Sequence, residues 1–472
     1  MNVRPSILII SLVGASSIAS AQMRMADSVV PGNALSEVRV ADIVERVDGH
    51  TLTLGSRFDD QGLESTYLVL RDPAGERKAV VGLAIDPVLA YEASSLLSLP
   101  DGHVAVLSVE YDPQDFSADR ALVLSRLDPA LRLIWSVRVD ELAMSFESAR
   151  LSQSPDGHLV VFGEVVRTTD GERDMGDGMI LMIDADDGSI IQARTLGTIE
   201  GHERIADLQP GATAGSWVVL AEISRRSSPT TVEWADALLA VAGDASITRS
   251  RLIGHEVGNG IRIQPMRLLP AKDGFVIAGR RTAFGPNFFY LHAIGADLAP
   301  AQSRVLVPLF NAIDVDVRDQ SLWVYGEANG EAQDSGTVLM RFDEQVQLLL
   351  QRRFGTRNTT FPTGAMTFAG DNAVLALGAN ASDENLVVYE AVHSVRLSDG
   401  EGLLCEEGDY DGFTPTADSR IDGAAWAPLS ATLEIRSSAV DVTVVDIEAR
   451  SWAMCVVGDD RVFTSGFERD PT

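Results

Sequence analysis

Short apolar runs bounded by tight polar turns fill the chain, and no stretch sustains a 3.6-residue hydrophobic period over three helical turns. The runs are too short and too often interrupted by Gly, Asp and Pro to be helices, so the pattern predicts strands. One turn recurs: Asp48-Gly49-His50, Asp101-Gly102-His103, Asp156-Gly157-His158 and Asp273-Gly274-Phe275 each precede an apolar run. Gly215-Ser216-Trp217, Gln320-Ser321-Leu322 and Asp371-Asn372-Ala373 are degenerate copies. Asp-Gly between two such runs signals a hairpin, because Gly takes positive φ without steric cost and Asp tolerates it.

The order of features repeats as well. Each run after the turn ends on a small residue: Gly55, Ser108, Gly163, Ala221, Gly279, Gly326 and Gly378. This fits close backbone approach where a strand leaves its sheet. A loop of variable length and a third β-rich run follow, as at Ala121 to Leu127 and Met179 to Ile183. A second turn then leads into a fourth run, through Asp128-Pro129-Ala130, Asp187-Gly188 and, in the last unit, Asp399-Gly400. Seven units at a spacing of roughly 50 residues, with four strands each, predict an all-β fold: a β-propeller of seven four-stranded blades over 37–405, with a small C-terminal β appendage in 406–472. Six or eight blades remain alternatives. A pair of β-sandwiches is another, although it leaves the recurrent order unexplained.

These units resemble secreted bacterial β-propeller repeat proteins, with Ser154 to Gly163 and Met179 to Leu196 as the best single copy. The resemblance implies a fold and no particular activity.

The ends of the chain place it. Arg4 and the apolar stretch Ile7 to Ile18 read as a signal peptide over 1–21, cut after Ala19-Ser20-Ala21 and followed by a leader over 22–36. Export to the periplasm, cell surface or medium is expected. The terminal Phe463-Thr464-Ser465-Gly466-Phe467-Glu468 resembles a Phe-x-x-Gly-Phe-Glu ending of secreted Gram-negative proteins, and an ordinary terminal strand is the alternative reading. Cys405 and Cys455 are the two cysteines of the chain and read as one disulfide in an oxidising compartment. A net charge of -30 disfavours nucleic acid and anionic lipid as partners. No membrane span is expected, and the chain reads as a monomer.

Local catalytic motifs are missing. His50, His103 and His158 share one repeat position and read as turn residues that hydrogen-bond locally, while His202, His255, His292 and His393 have no ligand-like spacing. The sequence lacks His-Glu-x-x-His, a Gly-x-Ser-x-Gly elbow and a phosphate-cradling Gly-rich loop. No cofactor is identified. Asp184, Asp186 and Asp187 before Gly188, and Asp409 and Asp411 before Gly412, could bind calcium, but a turn rich in Asp and Gly is the stronger reading.

A function must then sit on the loops joining second and third strands, which vary on a rigid scaffold. Two readings follow. In the first the chain is a non-catalytic module that recognises a protein, glycan or envelope component. In the second it is a glycan hydrolase or lyase using carboxylates at the channel mouth. The candidate residues are Asp112, Asp174, Asp177, Trp234 and Asp236, with solvated loop charges as the plainer account of the four carboxylates.

Overall fold

The computed structural model describes residues 25–28 and most of 38–453; the longest internal stretches outside the description are 398–407 and 419–428. Strands account for all the regular structure there, and among the described residues no helix is long and apolar enough to cross a membrane.

The fold is a β-propeller. Strand β1 (Met25–Ser28) stands apart and is placed below. Blade 1 is β2 (Val38–Glu45), β3 (Thr51–Phe58), β4 (Glu64–Arg71) and β5 (Arg77–Ala84). Blade 2 is β6 (Ala90–Ser98), β7 (Val104–Tyr111), β8 (Ala121–Leu127) and β9 (Leu133–Asp140). Blade 3 is β10 (Met144–Gln153), β11 (Leu159–Thr169), β12 (Glu172–Ile183) and β13 (Ile190–Gly197). Blade 4 is β14 (Gly201–Pro210), β15 (Trp217–Ser228), β16 (Thr231–Val241) and β17 (Ile247–Val257). Blade 5 is β18 (Ile261–Ala271), β19 (Gly274–Ala283), β20 (Asn287–Gly295) and β21 (Arg304–Pro308). Blade 6 is β22 (Phe310–Arg318), β23 (Ser321–Ala328), β24 (Gly336–Phe342) and β25 (Leu348–Phe354). All six are antiparallel meanders of four consecutive strands.

One further sheet is composite. β26 (Thr359–Ala369), β27 (Asn372–Ala381) and β28 (Val388–Arg396) follow in order, and β1 from the other end of the chain pairs with β28. First strands contact one another in sequence, from β2 through β6, β10, β14, β18 and β22 to β26, and β26 contacts β2.

The expectation of seven units with four consecutive strands each is corrected here: among the described residues six have them, and the last has three. Its open edge is taken by the leader segment at Met25↔Val392, where a strand after Asp399-Gly400 was expected. The separate C-terminal appendage is also corrected. β29 (Gly408–Asp409), β30 (Thr416–Asp418), β31 (Leu429–Thr432), β32 (Arg436–Ala439), β33 (Thr443–Asp446) and β34 (Arg450–Ala453) pair with β25, β21, β13, β9, β5 and β1 respectively. Strands this short cannot bury a face of their own, whereas an outer blade edge offers a row of unpaired N–H and C=O groups. Cys405, Cys455, the signal peptide and the terminal Phe-x-x-Gly-Phe-Glu sequence lie outside the described residues.

The core lies between blades. Leu52 and Leu54 of blade 1 cluster with Val104 and Val106 of blade 2, and Leu107 and Leu124 with Leu159 and Leu181 of blade 3. Phe289 of blade 5 meets Phe310 of blade 6 edge to face, with ring centroids 5.9 Å apart. Both faces of a blade are covered, so its middle strands are buried along most of their length; every residue of β8 is buried, the apolar Leu122, Val123, Leu124 and Leu127 among them. Each such side chain contributes about 1.5–3 kcal/mol on burial, which lets the ring hold together without cross-links.

The tight turns are as expected. Gly49, Gly102 and Gly157 have φ of 77°, 82° and 95°. The Asp48 and Asp101 carboxylates accept from the His50 and His103 backbone N–H at 3.1 and 3.0 Å.

Candidate functional site

A β-bulge interrupts the first strand of every sheet, between Val40 and Asp42, Ala93 and Ser95, Phe146 and Ser148, Ile205 and Asp207, Pro265 and Arg267, Ala312 and Asp314, and Thr360 and Thr363. Each lies at or beside the small residue on the second strand. The crowding explains that residue: a Cβ on Gly163 would sit 1.9 Å from the Ser148 carbonyl oxygen. The close approach is therefore inside the strand pair rather than at the strand exit expected from sequence.

The bulges turn polar side chains toward the axis. Asp42 accepts from Ile43 N–H and, across the blade boundary, from Leu96 N–H at 2.9 Å. Asp207 does the same to Leu208 and Leu268, and Asp314 to Val315 and Met366. Arg267 donates to Asp314 at 3.2 Å; burial opposes its charge, but Asp314, Asp207 and Asp42 hold its pKa above the usual guanidinium value. Burial pushes the carboxyls of Asp42 and Asp207 up, and that of Asp316 to about 6. This axial cluster is internally paired and ties blades 1 to 2, 4 to 5 and 6 to the composite sheet.

Above it, where second strands run into third strands, blades 3 and 4 stand taller. β11 and β12 have 11 and 12 residues and β15 and β16 have 12 and 11, against 8 and 7 for β7 and β8. The connections from second to third strand at 167–177 and 224–236 are mostly strand. At their base, Glu222 is fully buried and faces Arg204 across the β14–β15 pair. Arg204 donates to it at 2.6 and 3.0 Å, Arg262 from blade 5 donates at 3.2 and 3.3 Å, and Arg262 also lies 5.1 Å from the centre of the Trp234 ring.

Glu164 and His202 meet beside this triad. The Gly176 backbone N–H donates to His202 Nδ1 at 3.2 Å, so in the neutral ring the proton sits on Nε2, which is 3.4 Å from Glu164 Oε1. A Cβ on Gly176 would lie 2.5 Å from Glu164 Oε1, so only glycine leaves the carboxyl this position. Burial pushes Glu164 up to about 7, opposed by Arg204 and reinforced by Glu147 and Glu222, and burial lowers His202. Burial thus favours the uncharged form of both groups, a protonated Glu164 carboxyl beside a neutral His202 ring.

A cavity of about 200 Å³ is lined by Gly163, which precedes Glu164, and by Arg204, on the same strand as His202, and not by the pair itself. Glu92, Ser94, Glu147, Ser148, Arg150 and Arg204 supply its polar lining. Arg150 is held down to about 10 by burial and by the like charge of Arg267.

Of the residues expected from sequence, the structure brings two to this mouth. Asp177 acts electrostatically on His202, and Trp234 carries Arg262. Asp236 is buried and accepts from Tyr290 Oη at 2.6 Å, a contact between blades 4 and 5. Asp112 accepts from Gln114 N–H at 2.8 Å within its own turn, away from the cluster. Asp174 lies in β12, outside the described side chains. In the first calcium candidate, Asp184 and Asp187 accept from the N–H of Asp186 and Ser189. Asp411 lies outside the described residues, and among those described no group of three or more His, Cys, Asp or Glu side chains is arranged to hold a metal ion.

Sequence reading missed Glu164, His202, Arg204 and Glu222, although the repeat carried a signal for two of them. The position after the small residue is Glu164, Glu222, Arg280 and Glu327 in four successive units. A charge at a fixed station inside an otherwise apolar strand needs partners from neighbouring blades.

No protein-family model matches the chain, and no curated protein matches it. Solved structures do. Polysaccharide lyase Uly1 is similar over 76% of this chain and 90% of its own, at 8% identity and a TM-score of 0.50. A puromycin-hydrolysing peptidase of Mycobacterium tuberculosis is similar over 78% of this chain and 53% of its own, at 14% identity and 0.41. The WD40 domain of SCAP from fission yeast is similar over 80% and 98%, at 8% identity and 0.38. At these identities the likeness concerns the fold.

Proposed function

We propose that the chain is an exported, monomeric propeller that binds a polyhydroxylated, glycan-type ligand in the cavity at the mouth between blades 2, 3 and 4. We take the composite sheet to serve as the seventh blade. The observation that carries the binding reading is the cavity itself: about 200 Å³, close to the size of one sugar residue, with hydroxyls, carboxylates and guanidinium groups on its wall. Such walls bind by directed hydrogen bonds. A polysaccharide is also what the similar lyase is named for, which agrees with a glycan and supplies no residue.

Cleavage is the second reading, favoured by one observation. Glu164, with a pKa of about 7, faces neutral His202 Nε2 and could give or take a proton at a bound sugar. Titration of the full chain with neutral and acidic oligosaccharides tests both readings. Glu147→Gln and Arg204→Gln should each weaken capture about tenfold or more, one lost charged hydrogen bond being worth about 1.5–3 kcal/mol. Retained capture in both would remove the cavity as the binding site. New reducing or unsaturated sugar ends, lost in Glu164→Gln, would select cleavage over binding alone.

A further inference from the structure

The C-terminal strands visit the blades in descending order. β29 pairs on blade 6, β30 on blade 5, β31 on blade 3, β32 on blade 2, β33 on blade 1 and β34 on the composite sheet. Blade 4 is passed over: among the described residues no strand pairs with the outer edge of β17.

The spacing is regular. β31, β32, β33 and β34 begin at 429, 436, 443 and 450, one strand every seven residues. Extended backwards, the period gives starts at 422, 415 and 408. β30 and β29 fall in the last two windows, and 422–425 is the window left for blade 4. From Asp418, which ends β30, to Leu429 is the same interval as from Ala439 to Arg450, and the latter passes one blade and holds β33.

Sequence between the strands repeats too. The fifth and seventh residues of successive units are Leu433 and Ile435, Val440 and Val442, and Ile447 and Ala449. Val442 is buried with Leu52 of blade 1 and Val104 of blade 2, so a link fills the seam between neighbouring blades. The unit that starts at 422 has Trp426 and Pro428 in those places.

We propose that the outer edge of β17 is a strand-docking site and that its occupant is segment 422–425 of the same chain, giving a belt with one short strand on every sheet. The donors and acceptors along an outer edge bind an extended segment by adding it to the sheet, as the other six edges do. The register follows from the neighbours. On blades 1, 2 and 3 the third belt residue opposes the outer-strand residue level with the small one: Val445↔Gly82, Ser438↔Arg138 and Ala431↔Thr195. On blade 4 that level runs from Ala221 through Ala237 to Leu252, which sets Ala424 opposite Leu252 and Ala425 opposite Arg251.

Paired cysteines in the full chain test this, after Cys405→Ser and Cys455→Ser. Arg251→Cys with Ala425→Cys should give an intramolecular link with a short bis-maleimide, as Arg194→Cys with Thr432→Cys should at the observed Arg194↔Thr432 pair. Peptide mapping reads both. A link between two copies, or none while the Arg194 pair links, would overturn the assignment in favour of a second copy or a bare edge. Amide exchange of the unmodified chain is the second measurement: β17 should be as protected as β13, and rapid exchange along it would overturn the proposal even if the cysteine variants fail to fold.

Discussion

The face bearing the Asp-Gly turns and the face bearing the tall hairpins are built by the same strands, yet they treat polar groups in opposite ways. On the turn face the turn carboxylates are satisfied locally, Asp48 and Asp101 capping their own turns and Asp128 serving Ala130 and Arg132, and the contacts between blades there, such as Arg126 to the Ala185 carbonyl, come from side chains outside those caps. On the hairpin face, Glu222 needs Arg204 from its own blade and Arg262 from the next, and Glu164 of blade 3 faces His202 of blade 4. Self-contained groups can be copied from repeat to repeat without consequence. Groups that depend on a neighbouring blade mark where the repeats have become unequal, and a ligand meets that inequality.

Changes on the two faces should therefore differ in size and kind. The largest effect is expected for Glu222→Ala, which removes a buried carboxylate and leaves the partly exposed guanidinium groups of Arg204 and Arg262 facing each other without their shared partner. Stability should fall by about 3 kcal/mol, read as a lower denaturant midpoint, and a loss below about 1 kcal/mol would mean that water already screens the triad.

Next comes the pH response of Glu164. Its folded pKa, about 7, is above the ordinary glutamate value of 4.5, so the folded state binds the extra proton between them. The associated stability is full below about pH 4.5 and is lost as pH rises through about 7. Glu164→Gln should remove about 2 kcal/mol of the decline between pH 5 and 7. An unchanged pH profile in Glu164→Gln would show that the carboxyl is already ionised at pH 5.

The smallest effect is expected on the other face. Gly157 has a φ of 95° and nothing within 4 Å of where a Cβ would be, so Gly157→Ala costs only backbone strain, about 1 kcal/mol. Its thermal midpoint should drop by a few degrees with oligosaccharide capture unchanged. Loss of capture there would erase the distinction between the faces.

What could be read from sequence follows the same division. Asp48-Gly49, Asp101-Gly102 and Asp156-Gly157 act within a few residues, so their turns, the strands beside them and the propeller were legible. Trp234 and Asp177 were found because they sit on hairpins that vary. Asp236 looked like one of them, and only the partner Tyr290 from the next blade reveals a structural group. Glu164 and His202 were invisible as a pair because they come from different blades and meet through the height of β11 and β12. The C-terminal strands were visible only as a β appendage over 406–472, because a strand does not announce which edge it will join.

The pairing of β1 with β28 and β34 bears on how the molecule comes into being. Met25 precedes its partners Val392 and Ala453 in the chain by the whole run of six meanders. Those meanders can form as they emerge, each from local contacts, while β1 has to wait in an open state until β28 and β34 have been made. Joining these distant segments is, among the described strand pairs, the contact of highest sequence separation and hence the slowest to find. A product lacking β1 would keep its blades yet expose the outer edge of β28, a surface suited to recognition by a protease or a chaperone.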